Sequence, residues 1–249
     1  MKIFAVNGSP RKRKGNTERI LKPFLEGARA AGADIALVYL KEKEIKPCLG
    51  CNACWLKTPG RCVQQDDMPE LLDLMRQCEV AVLASPIYVG SVTGLMKNFL
   101  DRMTPMSMPF IEVVNGHSTH SKREGSPFKG IVFVSNNGFH ELYHFDDLVS
   151  HMRSLAQMMQ AEFLGALLRP HGVLLEMLEK HMPDKVMTVY EAARQAGKQL
   201  VEQGRISAEL EAAVAQELLP RDAFVQAMNN FFHQAWDSAQ RKASSNVGT

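Results

Sequence analysis

Apolar residues recur along the first two-thirds of the chain in two alternating rhythms. Short continuous runs mark the first: Lys2-Ile-Phe-Ala-Val6, residues 34–40, Val80-Ala-Val-Leu-Ala84, Ile131–Val134 and residues 162–168. Runs of this length, closed by Asn, Ser, Pro or Gly, predict strands buried on both faces, as in a parallel sheet. Between them the apolar spacing changes to three and four. Ile20, Leu21, Phe24, Leu25 and Ala28 predict a helix from Asn16 that stops at Gly32. Asp67-Met68-Pro69-Glu70 supplies an N-cap acid, an early-turn proline and a following acid, so a helix carrying Leu71, Leu72, Leu74 and Met75 starts there. Further helices are predicted over Thr93–Met103 and 142–160. Strand and helix in alternation imply an α/β fold, a doubly wound sheet of five parallel strands.

The remaining sequence is helical in its spacing. Val186, Val189, Tyr190, Ala193, Leu200 and Val201 form one stripe; Phe224, Met228, Phe231, Ala235 and Trp236 form another after Pro220. The expected organisation is a ligand-binding domain over residues 1–203, a C-terminal helical extension over 204–243 and a disordered tail from Ser244. Residues 105–128, polar and interrupted by Pro and Gly, are expected to form a long connection of the kind that is functional or mobile.

At 249 residues the chain is near the upper size for a single core. A net charge of +2 is too small to imply nucleic acid or an anionic membrane as the partner. No apolar run approaches the roughly 18–20 residues of a spanning helix. The first residues lack the basic and apolar regions of a secretory signal. The expectation is a cytoplasmic protein in a reducing compartment. There, the crowding of four of the five cysteines into residues 48–62 points to metal or redox chemistry before structural disulfides.

Doubly wound sheets bind ligands beyond the carboxyl ends of their strands. Three chain breaks fall at such ends. Asn7-Gly8-Ser9-Pro10-Arg11 through Gly15-Asn16-Thr17 offers hydroxyl and amide groups beside a helix N-terminus, which suits a phosphate. A plain turn with a solvated basic stretch, Arg11–Lys14, accounts for the same residues, and the segment is neither a G-x-G-x-x-G nor a Walker loop. Ser85-Pro86-Ile87-Tyr88-Val89-Gly90-Ser91 sets an aromatic between Pro and Gly, a flat face for a planar heterocycle or simply a packed tyrosine. Asn136-Asn137-Gly138-Phe139 offers similar parts.

The cysteines follow C-x2-C-x2-C-x7-C. Thiolates two residues apart can converge on a cubane cluster, whereas zinc sites usually use two separated pairs; packed thiols or a reversible disulfide stay open. Cys78 fits core packing. His140-Glu-Leu-Tyr-His144 matches H-E-x-x-H, but no third ligand follows, and the two histidines are expected partly exposed at the mouth of the site. Met96 and Met103 fit core filling; Met106 and Met108 are open between filler and a soft wall for flat acceptors.

Gly8-Ser9-Pro10-Arg11 with Gly15-Asn16-Thr17, Cys48-Leu-Gly-Cys51-Asn-Ala-Cys54, Cys62 with Asp66-Asp67-Met68, and Ser85-Pro86-Ile87-Tyr88 with Lys97-Asn98-Phe99-Leu100-Asp101-Arg102 occur in that order. With these pieces, spanning residues 1–140, the chain resembles the flavodoxin-like NAD(P)H-dependent FMN reductases and their iron–sulfur flavoprotein relatives. The resemblance implies a flavodoxin-like fold, FMN as cofactor and NAD(P)H as electron donor. It implies that Ser9, Arg11, Asn16 and Thr17 hold the FMN phosphate and that Pro86, Ile87, Tyr88, Val89, Gly90 and Ser91 line the ring. Asn137 and Gly138 would close over its other side. Cys48, Cys51, Cys54 and Cys62 would ligate a [4Fe–4S] cluster where one is carried.

No side chain need act as acid or base. The expected activity passes electrons to a small acceptor such as a quinone or a flavin. Two alternatives stand beside it: an electron carrier between proteins using FMN and a cluster, and a non-enzymatic redox-sensing flavin module. A homodimer or homotetramer is expected, with Thr93–Arg102 at the contact, the C-terminal helices either extending it or capping their own domain, and no nucleic-acid or membrane partner.

Overall fold

The computed structural model describes residues 1–246, which fall into two compact units, Met1–Gln216 and a second beginning at Glu217. In the first unit β1 (Lys2–Asn7), α1 (Asn16–Ala30), β2 (Asp34–Tyr39), α2 (Ala53–Leu56), α3 (Met68–Gln77), β3 (Val80–Pro86) and α4 (Gly94–Asp101) follow in order. Then come β4 (Ser107–Val114), β5 (His117–Lys122), β6 (Gly130–Asn136), α5 (Asp146–Met158), β7 (Glu162–Arg169), α6 (Leu175–His181), α7 (Pro183–Gln203) and α8 (Ala208–Ala215). Five strands pair in parallel in the order β2-β1-β3-β6-β7. This is the flavodoxin-like strand order, with its reversal between β1 and β3.

β3 and β6 are buried along their whole length, which is why they carry no polar alternation. Phe4, Val6, Leu83, Ile131 and Phe133 join one core with Leu71, Leu72 and Met75 of α3, Met96 and Phe99 of α4, and Leu148 and Met152 of α5. Ile3, Ala5, Val82, Val132 and Val134 are equally buried and, by the two-residue strand period, face the other way. α1 covers that face and packs on α7. Two glycines set how closely. A Cβ on Gly27 would lie 1.8 Å from the Arg194 carbonyl oxygen, and one on Gly197 would lie 1.9 Å from that of Phe24. The helices therefore meet backbone to backbone.

The long connection expected at 105–128 is instead a β-hairpin. β4 and β5 pair antiparallel across Asn115-Gly116, whose φ values of 52° and 79° are those of a tight hairpin turn. Its strands escape a reading by alternation because both are largely exposed. The helix expected over 142–160 begins as a 3-10 turn, Leu142–Phe145, before α5. α8 packs on β7 and α7 within the first unit. The second unit holds α9 (Arg221–Asn246), so the tail expected to be disordered from Ser244 is helical through Asn246, and its remainder lies outside the described residues. No described helix is long and apolar enough to cross a membrane.

Candidate functional site

The three loops at the carboxyl ends of β1, β3 and β6 meet at the reversal point. Gly8 N–H donates to the Ala84 carbonyl at 2.8 Å, continuing the β1–β3 ladder past the strand. Thr93, the N-cap of α4, donates its hydroxyl to Gly8 O at 2.7 Å while its own N–H reaches Ser85 Oγ at 3.0 Å. Ser135 Oγ donates to Ser85 O at 2.7 Å, and Ile87 N–H to Asn136 O at 2.9 Å. Asn136 Nδ2 then donates to Thr17 Oγ1 at 2.6 Å, tying the third loop to the first turn of α1. Each of these polar side chains is buried and satisfied by a neighbouring loop, so the loops form one rigid frame.

Between them lies a cavity of about 150 Å³ lined by Ser9, Arg11, Asn16 and Thr17, by Pro86, Ile87 and Tyr88, and by Asn137 and Gly138. Asn136 and Val173 complete the wall. Val173, an apolar residue beyond the last strand, carries no sequence signal of its own. Val89, Gly90 and Ser91 do not line the cavity. They form the tip of a tight turn in which Tyr88 and Ser91 exchange backbone hydrogen bonds of 2.8 and 3.1 Å. Val89 and Gly90 at that tip have φ of 49° and 73°.

The wall is rich in donors. α1 begins at Asn16 behind an N-cap glycine, Gly15, which makes no side-chain hydrogen bond, so the first N–H groups of the helix have no side-chain capping acceptor. Gly15 allows the loop to fold against Ser9, since a Cβ there would stand 2.5 Å from Ser9 Oγ. Ser9 N–H is held by Asn7 Oδ1 at 2.8 Å. Lys12 and Arg13 pair with Glu42 at 3.2 and 3.0 Å, so of the basic stretch it is Arg11 that borders the cavity. Behind it, the buried Glu18 accepts from Asn7 Nδ2 at 2.9 Å and Tyr39 hydroxyl at 2.8 Å. Burial, reinforced by Glu18, raises the Tyr39 phenol pKa.

Asn137 is the telling residue. Its backbone is fixed by bonds to Arg169 O (3.2 Å) and from Gly172 N–H (3.0 Å), and its Oδ1 accepts from Phe139 N–H at 3.1 Å. Its Nδ2 is buried and has no hydrogen-bond partner in the protein. A buried amide donor of this kind calls for an acceptor. Arg169 holds the loop from beneath, donating to Pro170 O, Val214 O and Gln216 O at 2.7–2.8 Å and approaching His171 Nε2 at 3.0 Å. Burial lowers Arg169 to about 10. Burial first, then the charge of Arg169 and His140, lowers His171 to about 3. His171 is therefore neutral at pH 7 and accepts from the guanidinium through Nε2.

Cys48 and Cys51 are exposed, Cys54 and Cys62 partly so, and all four thiols are free. They share one neighbourhood: burial raises the Cys54 thiol pKa, and Cys62, Cys48 and Cys51 add to the rise. Among the described residues no three His, Cys, Asp or Glu side chains stand in a metal-holding arrangement. The loop is anchored by a buried ion pair. Arg102 Nη1 and Nη2 reach Asp66 at 2.6 and 3.1 Å, Nη1 also donates to Lys46 O at 2.8 Å, and Asp66 accepts from Lys46 and Met68 N–H. The same guanidinium interacts with Cys62. Cys78 is buried, donates to Met75 O at 3.3 Å and has its thiol pushed up to about 12 by burial. His140 stacks on His171, and His144 lies against Phe139; both are partly exposed beside the third loop.

An iron–sulfur flavoprotein of Archaeoglobus fulgidus is 43% identical over 102 residues, 41% of this chain and 48% of that protein. The chain thus spans about half the length of the curated relatives it matches. Among solved structures, an FMN-dependent NADH-azoreductase from Bacillus anthracis in complex with FMN superposes with a TM-score of 0.59 at 13% identity, covering 80% of this chain and 99% of that one. An NAD(P)H:quinone oxidoreductase from Methanothermobacter marburgensis gives 0.55 at 14% identity, covering 80% and 96%. At such identity these two establish the fold. The family described as NADPH-dependent FMN reductase matches residues 1–161, more than half the chain, and the protein is a member of it.

Proposed function

We propose that the protein binds FMN in the three-loop cavity and oxidises NAD(P)H there, delivering electrons to a small acceptor such as a quinone or a flavin. One observation carries the reading: the unpartnered, buried Asn137 Nδ2 lies in the wall of a cavity that also holds Ser9, Arg11 and the uncapped start of α1. At about 150 Å³ the cavity suits the phosphate-bearing end of the cofactor rather than the whole of it. The first loop would take the phosphate, with α1 contributing its N–H groups and N-terminal dipole. Pro86, Ile87 and Tyr88 would offer their faces to the ring, and Asn137 would donate to its polar edge. FMN, when bound, supplies the hydride and one-electron chemistry; the protein's residues bind and orient it. The protein is further proposed to be cytoplasmic and a homodimer or homotetramer.

The test is direct. Incubation with FMN should give one bound flavin per chain and oxidation of NADH or NADPH with a quinone or azo acceptor. A colourless protein that rejects FMN overturns the reading, and a flavin-loaded protein inert toward both nucleotides reduces it to a redox-sensing module.

A second reading is favoured by the cysteine loop: four thiols in one neighbourhood, anchored at Asp66 and faced by the Arg102 cation, in a chain related to iron–sulfur flavoproteins. In that reading Cys48, Cys51, Cys54 and Cys62 hold a [4Fe–4S] cluster and the protein carries electrons between partners. Iron and flavin analysis after anaerobic purification separates the two. Cys51→Ala should remove iron and leave flavin; unchanged iron excludes the cluster.

A further inference from the structure

A second cavity, mostly apolar in its lining, lies apart from the one at the strand ends. A space of about 440 Å³ lies between the β4–β5 hairpin, the segment after α4, and the C-terminal half of α5. Its lining shares no residue with the three-loop cavity, and its volume is that of a small-molecule site. One wall is apolar, built from Leu100, Met103, Phe128, Leu155 and Met159. The charged side chains of the lining are basic, Lys122 and Arg123, with His120 among them and no carboxylate among the described lining residues.

Two of these groups are held but not satisfied. Arg123 donates from Nε to Pro105 O at 2.8 Å, which fixes the plane of its guanidinium, yet its Nη2 is buried without a partner. His120 is braced by Trp55, ring centroids 4.5 Å apart, and its Nδ1 is likewise buried without a partner. A guanidinium N–H can only donate, and a buried charged donor lacking an acceptor is costly. An anionic acceptor at this point removes that cost, while the methionine, leucine and phenylalanine wall favours an apolar body.

We propose that this cavity binds a small aromatic monoanion, its carboxylate accepting from Arg123 Nη2 and His120 Nδ1 and its ring lying on the wall of Met103, Phe128 and Met159. The head group is read by charge and the body by apolar contact, so the site discriminates against an uncharged molecule of the same shape. The proposal is independent of what the three-loop cavity holds.

Calorimetric titration of the 249-residue chain with 2-naphthoate, and in parallel with its uncharged amide, tests it. Saturable binding of one naphthoate per chain is expected, about tenfold or more tighter than the amide. Arg123→Gln should weaken naphthoate by a similar factor and leave the amide unchanged, while Arg123→Lys keeps part of the affinity. Matching far-UV circular dichroism and urea midpoints for all three proteins show that the fold survives. No saturable naphthoate binding, an amide that binds as tightly, or an unchanged affinity in Arg123→Gln overturns the proposal. So does a stable oligomer that excludes naphthoate because a second copy covers the cavity.

Discussion

Arg102 and Asp66 face each other through two hydrogen bonds with both side chains out of contact with solvent, 1% and 0% exposed. One ends α4; the other lies just before α3. The pair therefore couples the helix that follows the second cavity loop to the segment bearing four cysteines, and its Nη1 also holds Lys46 O on the far side of that segment. Breaking it by Asp66→Asn leaves a buried guanidinium uncompensated, a loss of about 3–5 kcal/mol. Urea unfolding should show that loss. The double variant Asp66→Leu with Arg102→Met should recover most of it, because no charge is then left alone. Labelling of Cys54 and Cys62 by a thiol reagent should accelerate in the single variant.

Acid should weaken the fold in two stages with distinct causes. His171 is held neutral, its folded pKa lowered to about 3 from an ordinary 6.5 by burial and the neighbouring Arg169 charge. Between those values the unfolded chain binds a proton that the folded chain refuses, so stability falls as pH drops from about 6.5 toward 3. The Asp66 carboxyl is held below its ordinary 3.8 by Arg102 and two backbone N–H donors, against burial. Its contribution is complete above that value and is lost as pH falls through the lower folded pKa. Unfolding free energies measured from pH 8 to pH 4 should decline with a slope that His171→Gln reduces; an identical slope in the variant removes His171 as the cause.

The three-loop cavity makes a prediction that separates phosphate from ring. Arg11→Ala should weaken FMN by about tenfold or more, the usual worth of a charge-assisted hydrogen bond, and leave riboflavin, which lacks the phosphate, nearly unchanged. Asn137→Asp keeps the acceptor that holds Phe139 N–H but replaces the orphan donor with a carboxylate oxygen. It should weaken FMN and riboflavin alike. Flavin fluorescence titrations check both.

Much of this site was legible because its residues announce themselves locally. The apolar runs at Val80–Ala84 and Ile131–Val134 belong to strands buried along their length, and the loops that follow must lie where such a sheet binds ligands. What was not legible depends on distance in sequence. The Arg102–Asp66 pair joins residues 36 apart; the Arg169–His171 support rests on carbonyls of Val214 and Gln216. The hairpin did carry a local signal, Asn115-Gly116, which is the strongest short cue for a two-residue turn. It was masked because exposed strands such as Ser107–Val114 show little alternation of apolar and polar positions. The aromatic-anion cavity behind that hairpin was hidden with it.

At the crossing of α1 and α7, propensity and packing oppose each other, and magnitudes decide. Gly197→Ala gains about 1 kcal/mol of helix propensity. The added methyl, however, would stand 1.9 Å from the Phe24 carbonyl oxygen and 2.8 Å from Ala28 N, both backbone atoms that no rotamer change can move. Overpacking in a tight core costs about 1–3 kcal/mol, and contact with rigid backbone places this case at the upper end. Net destabilisation is expected, and chemical denaturation should show a lower midpoint with an unchanged slope.

Val89 offers the reverse case, a substitution that should stabilise. It sits at φ 49°, where a β-branched side chain is an outlier, and it is fully exposed, so no packing compensates for the strain. The turn it forms displays Tyr88, a wall of the proposed flavin site. Asn tolerates this conformation far better. Val89→Asn should therefore raise the unfolding free energy by about 1 kcal/mol. Because the Tyr88–Ser91 backbone bonds hold the same turn in either case, FMN affinity should hold or improve. A drop in FMN affinity despite higher stability would show instead that the valine side chain itself touches the flavin, giving the strained residue a direct place in the site.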